Sequence, residues 1–440
     1  MQITIRTIIF LFFTILTVFP YPKANADGLV NDGPLRTATF WQQHNADGDS
    51  LVLTEAQKVP YNHTIQQSSP AMVDMADYPT TESKDTVKQI IEASSVVPDE
   101  AYDEFGRSLS QSAIDDLLHN RGLENIQDTV SVRMGVTVRR SSIRTLPTAD
   151  PIFEEPQASM FDSMQETAID PAEAVLILHT SNDGQYYYIQ MYNYSGWVAT
   201  ADIALTNDRK QWLNYVNPQK FLTVTGKAYQ VTNGTEMLFY QMGSRISFTK
   251  KNKFGYTITI PQRDAQGNLK EKSTFITSAA SLHEGYLPYT RNNIIQEAFY
   301  YLDEPYGWGG LKNSVDCSSF IANLYRTVGI FLPRNADQQE TVAGQHFPFT
   351  NLDESGIYNS IAQNCRPGDA FFMDGHVMLY LGEVDNVPYV IDALGSYTQD
   401  IDGEKIRHHI LHVVVNDLSL TVFSGKSFAA VLTSAVSFHQ

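Results

Sequence analysis

The sequence predicts an α+β fold in four parts: a helical N-terminal region, two β segments of barrel size, and a C-terminal mixed domain. Three observations predict it. At 440 residues the chain exceeds one ordinary core. Its apolar pattern changes along the chain, from helical spacing to short alternating strands and then to a mixture. With 42% hydrophobic and 18% charged residues, it belongs with folded rather than disordered chains.

Residues 1–26 read as a secretory signal. Arg6 is the lone charge before an apolar run from Ile8 to Phe19, broken only by Thr14 and Thr17. Ala24-Asn25-Ala26 then fits a small-residue cleavage site. The run is short for a bilayer span, so an exported chain, periplasmic or extracellular and free of the membrane after cleavage, is expected. The formal charge is −18, and cleavage would remove Arg6 and Lys23 and no acid. Such a surface repels polyanions, and no basic stripe interleaved with aromatics is present, so nucleic-acid binding is disfavoured. Two cysteines, Cys317 and Cys365, do not make a disulfide scaffold.

Residues 27–128 form the helical region. Ser110 is placed to cap a helix whose Ile114, Leu117 and Leu118 share a face, with Gly122 beyond its end. Asn45-Ala46-Asp47-Gly48-Asp49 resembles a calcium loop, but Ser50 stands where Gly is needed and Glu55 falls one residue short. A solvated turn is the better reading. Residues 129–206 turn to short strands: alternating Val130 to Val136, then Val175 to Leu178, the turn Asn182-Asp183-Gly184, Tyr186 to Gln190, and Gly196-Trp197-Val198. So many short strands in so few residues predict a small barrel. The Tyr186-Tyr187-Tyr188 run alternates faces in a strand, as core plus surface. A second β segment covers residues 218–285, with Tyr256 to Ile260 alternating and Pro261 expected to end that strand.

The chemistry lies in residues 286–440. Asn292 to Leu302 has helical period. Asp316-Cys317-Ser318-Ser319 precedes a helical face of Phe320, Ile321, Leu324, Tyr325 and Val328, closed by Gly329. Cys317 therefore sits at a helix start, where free N–H groups and the dipole favour a thiolate. His376 opens a strand to Leu381, and a second strand runs from Pro388 to Ala393. A hairpin centred near residues 384 to 385 puts residue 392, 393 or 394 opposite His376, and Asp392 lies in that window. A carboxylate beside the imidazole is expected to accept from Nδ1–H, fix the tautomer and steady the imidazolium. Cys317, His376 and Asp392 are thus the catalytic candidates.

The stretch from Tyr289 to Gly395 resembles the NlpC family of cell-wall peptidases. The matching residues are Pro305-Tyr306-Gly307-Trp308-Gly309-Gly310, Asp316-Cys317-Ser318-Ser319-Phe320, Leu332-Pro333-Arg334, Pro367-Gly368-Asp369, Gly375-His376-Val377 and Val390-Ile391-Asp392-Ala393. The turn, aromatic strand and Gly-Trp-Val strand upstream resemble a bacterial SH3-like domain. The whole order is similar to γ-D-glutamyl-L-diamino acid endopeptidases of that family. The resemblance implies a papain-like, NlpC-type catalytic domain behind two SH3-like barrels. It implies Cys317 as nucleophile, His376 as base, Asp392 third, and Tyr306 with the Cys317 N–H at the oxyanion. It places Asp316, Ser318, Trp308 and Asn335 at the substrate, a peptidoglycan peptide, with no metal or organic cofactor. Asn335 and Ala336 replace an Asp-Ser pair that grips a free amine in members acting on free peptides. Ser319 replaces a usual Gly.

His408, His409 and His412 split between two faces of a strand, a poor metal set. Cys365, before the turn Arg366-Pro367-Gly368, reads as a bystander. Amidase or acyl-transfer chemistry on the same triad, and a catalytically idle wall-binding protein, are the rival readings.

Overall fold

The computed structural model describes residues 28–157, 160–234 and 236–439. The expected secretory signal lies outside the described residues. Among them, no helix is long and apolar enough to cross a membrane.

The C-terminal part is built on a six-stranded antiparallel sheet. Edge to edge its strands are Gln345–Pro348, Leu432–Ser437, Ala370–Met373, His376–Val384, Val387–Ile401 and Glu404–Asp417. One face packs on helix Cys317–Thr327, where Phe320, Ile321 and Leu324 meet Val377, Leu379 and Ile391. The other face packs on helix Glu354–Asn364, where Ile357 and Ile361 meet Met378, Tyr380 and Val390. Burial on both sides explains the unbroken apolar run from Val377 to Leu381.

Upstream, a seven-stranded sheet forms the first barrel from Arg133–Thr137 through Ile203–Thr206. Its three tyrosines divide by face: Tyr188, fully buried edge-on to Trp197, shares one core with half-buried Tyr186, while half-buried Tyr187 packs on the other beside Ile189 and Val198. The second β segment forms a five-stranded sheet with a separate hairpin, Ala228–Asn233 against Glu236–Gln241. Pro261 does not end its strand, which runs from Gly255 to Arg263. Beyond Ile258 that strand is paired on one side only, against Leu269–Thr277, and one-sided pairing tolerates proline.

The N-terminal region carries helices Ala38–Gln43, Glu55–Ser68, Lys84–Ser94 and Gln111–His119. Ser110 caps the last, its hydroxyl accepting from Ala113 N, and Gly122 follows in a left-handed conformation. The region is divided between two cores. Leu35, Phe40, Trp41, Tyr61 and Ile65 belong to the core of the C-terminal part. Val87, Ile91 and Ile126 pack with Tyr188 and Trp197 of the first barrel. The calcium-like loop is a clamp: Asn45 Nδ2 donates to Asn292 Oδ1 at 3.2 Å, and Asn292 Nδ2 donates to Asp49 Oδ1 at 2.9 Å.

Candidate active site

Helix Cys317–Thr327 starts at Cys317 because Asp316 caps it. The Asp316 carboxylate accepts from Ser319 N at 2.9 Å, and Ser319 Oγ accepts from Asp316 N at 3.0 Å. The hydroxyl that departs from the resembled pattern therefore closes a capping box. Cys317 is half-buried and free, and Cys365 is free and buried. Burial pushes the Cys365 thiol well above its usual range, which makes it inert.

His376 hydrogen-bonds Cys317 on one side. On the other, its Nε2 lies 2.7 Å from Asp392 Oδ2. The hairpin turns at Asp385-Asn386, both left-handed, and pairs Leu379 with Ile391. Asp392 thus comes to His376 as a diagonal neighbour on the same face. The carboxylate holds Nε2, not Nδ1 as expected, so the ring presents Nδ1 to the sulfur. Burial opposes a charge on His376, but its hydrogen bonds to Asp392 and Cys317 outweigh that and push it up to about 10.

Asp392 is itself fully buried, and its Oδ1 accepts from Asn416 Nδ2 at 2.7 Å. Asn416 is a residue the sequence reading missed. The available signal was a polar side chain closing the apolar run Val413-Val414-Val415.

Tyr306 is buried at the cleft. Desolvation, then the neighbouring Cys317 and Asp316, raise its phenol far above the usual range, so it is a neutral donor. Its backbone N–H donates to Leu411 O at 2.7 Å, and Leu411 is left-handed (φ 55°), a strained place for leucine. Trp308 lines the same cleft and docks on the first barrel, its indole N–H donating to Asp162 O at 3.1 Å. Gly309 and Gly310 follow, both left-handed. A Cβ on Gly309 would lie 2.7 Å from Gln165 Cγ, and one on Gly310 would lie 2.6 Å from Ala168 Cβ. The two glycines let this loop lie against the barrel.

Asp316 and Ser318 line the cleft, but Arg334 holds both. Its guanidinium donates to Asp316 Oδ2 at 2.5 Å, to Ser318 Oγ at 2.8 Å and to Thr167 Oγ1 at 2.7 Å. Burial works against the Asp316 charge, but Arg334 and Ser319 hold its carboxyl below the usual range. Asn335 lines the cleft at the start of helix Ala336–Thr341. The first barrel adds Gln165 and Glu166, which no motif announced. The cleft, of about 600 Å³, thus carries Glu166, Asp337, Glu340 and Asp374, against one guanidinium already paired.

The strand histidines do not converge: His408 faces Tyr397, His409 faces Ser396 and His412 faces Leu394. Among the described residues, no cluster of three His, Cys, Asp or Glu is placed to hold a metal ion.

Residues 303–415 match the NlpC/P60 family, and residues 151–199 match the SH3 domain of SH3b1 type. A dipeptidyl-peptidase 6 from Lysinibacillus sphaericus is 24% identical over 254 residues, covering 56% of this chain and 86% of its own. An NlpC/P60 endopeptidase from Photobacterium damselae subsp. piscicida has the same fold. Its TM-score is 0.75 at 16% identity, covering 95% of this chain and 99% of that one. An NlpC/P60 family protein from Bacillus cereus ATCC 10987 aligns over 70% of this chain and all of its own, with TM-score 0.45 and 14% identity.

Proposed function

We propose, from the match of residues 303–415 to the NlpC/P60 family, that this chain is a cysteine peptidase that cleaves the γ-D-glutamyl bond to a diamino acid in peptidoglycan stem peptides. The observation that carries the reading is the line Cys317, His376, Asp392, with the carboxylate buried and hydrogen-bonded at both oxygens. An imidazolium against the sulfur favours the thiolate. The thiolate attacks the scissile carbonyl carbon and the π electrons move to oxygen. The Tyr306 hydroxyl and the Cys317 N–H donate to that oxyanion. His376 then gives its Nδ1 proton to the leaving amine, and a thioester remains. Neutral His376 takes a proton from water, the hydroxide attacks the thioester, and the glutamyl acid leaves as the thiol is restored. Asp392 keeps its hydrogen bond to Nε2 and steadies the charged ring. The anionic cleft suits a substrate that carries an ammonium group.

Export to the wall is part of the proposal and rests on the leader-like residues 1–26. The test is mass spectrometry of purified murein fragments incubated with protein starting after Ala26. The expected products end in D-glutamate, and Cys317→Ala yields none. Fragments that are bound but left intact would overturn the peptidase reading in favour of a wall-binding protein.

A further inference from the structure

We propose that the groove between the N-terminal region and the first barrel binds the uncharged N-acetylated sugar to which a wall stem peptide is joined. This rests on the peptidase reading above, since it extends the same substrate beyond its first residue. The groove has a volume of about 690 Å³. It is continuous with the catalytic cleft: Glu166 lines both, and Gln338 lines the groove where Asn335 to Asp337 line the cleft. A stem peptide leaving the cleft at that end enters the groove. Asn335 and Ala336 carry no charge themselves, so neither side chain reserves that end of the cleft for a free ammonium.

The lining selects the chemistry. Thr145, Gln190, Asn193 and Gln338 are neutral hydrogen-bonding groups, and Tyr78 and Tyr194 add apolar faces, the pairing that sugars need. Arg144 also lines the groove and is only 7% exposed. Its Nη1 donates to Asp162 and its Nη2 to Asp150 O, each at 2.7 Å. Its Nε–H is buried and has no acceptor among the described residues. Asp162 already neutralises the guanidinium, and Glu154 and Glu166 add negative charge, so an anionic ligand is excluded. The Glu166 carboxylate accepts from Thr145 and Tyr194, which leaves little for a cation. A neutral, oxygen-rich ligand remains.

The experiment measures binding without turnover, using Cys317→Ala protein and calorimetry. It compares a stem tripeptide with the same peptide joined to N-acetylmuramic acid. The sugar-linked peptide is expected to bind about tenfold or more tightly. Ala93→Trp, on an exposed helical site at the groove wall, should remove the difference between the two ligands. Equal affinity of the two ligands for the unblocked protein overturns the proposal, and so does a difference that survives Ala93→Trp. Should the active protein cleave neither ligand while the sugar still binds and Ala93→Trp abolishes that binding, the peptidase reading falls and the groove assignment stands.

Discussion

Asp392 has no exposed surface, and a carboxylate so placed keeps its charge only when its oxygens receive donors. His376 supplies one and Asn416 the other. Asp392→Asn is expected to lower kcat by roughly two to four orders of magnitude, because an amide cannot steady the imidazolium. Asn416→Leu, of similar shape, leaves Oδ1 buried without a donor. It should cost about 1 to 3 kcal/mol of stability. It should also move the basic limb of kcat/KM upward from about 10, since a carboxylate with one donor fewer depends more on the charged ring. The stability linked to the raised histidine is full below its free value near 6.5 and is lost as pH rises through about 10. An unmoved basic limb in Asn416→Leu would make that residue merely structural. Cys365→Ala should leave turnover unchanged, and a thiol probe at neutral pH should label Cys317 alone, because the Cys365 thiol is buried. Cys317, His376 and Asp392 were legible because one helix start and one hairpin bring them together. Asn416 was not, because its strand pairs through a register that no motif states. The ring nitrogen facing Asp392 was also misread, since spacing along a strand says nothing about which way an imidazole turns.

At the scale of elements, helix Cys317–Thr327 depends on its cap. Ser319→Gly restores the usual family residue but removes the hydroxyl that accepts from Asp316 N. It also places glycine in a helical turn. The expected loss is about 1 kcal/mol, with kcat/KM within a few-fold of the parent, since the Asp316 bonds to Arg334 and Ser319 N do not involve that hydroxyl. Thermal denaturation reads the first and steady-state kinetics the second. A hundredfold loss of activity without a stability change would mean that Ser319 touches the substrate. Helix Cys317–Thr327 was readable from cap, apolar face and closing Gly329, all local signals. The strand through Pro261 was misread because proline was judged without its neighbours, and one-sided pairing is a tertiary fact. The loop at Asn45 to Asp49 was read as a solvated turn. Its actual role as a clamp on Asn292 depends on a partner more than two hundred residues away.

At the scale of the molecule, buried polar contacts tie both β segments to the C-terminal core. Arg326 of helix Cys317–Thr327 pairs with Glu173 of the first barrel at 2.5 Å, both nearly inaccessible. Arg334 reaches Thr167 of the same barrel. The second β segment is joined at Glu297, a carboxyl only 3% exposed that accepts from Gly226 N at 2.7 Å. Such side chains appear in sequence as ordinary charges, so the joining of the parts was not legible. Burial raises Glu297 to about 7, and the Gly226 bond only partly opposes it. Because the folded value lies above the free value near 4.5, the linked stability is full below about 4.5 and is lost as pH rises through about 7. A shift of that size corresponds to roughly 3 kcal/mol between the two limits. Glu297→Gln keeps an oxygen for Gly226 N and removes the titration. Its stability by urea denaturation should be nearly flat between pH 4.5 and 7, where the parent falls, and should exceed the parent's at pH 8. The parent's fall should appear in the hydrogen exchange of Thr225 to Ala228 as well as in global unfolding, because the titrating bond anchors that turn. Identical pH profiles for the two proteins would show that Glu297 stays ionised in the fold. The junction with the second β segment would then hold a buried charge, stabilised by more than the single Gly226 bond.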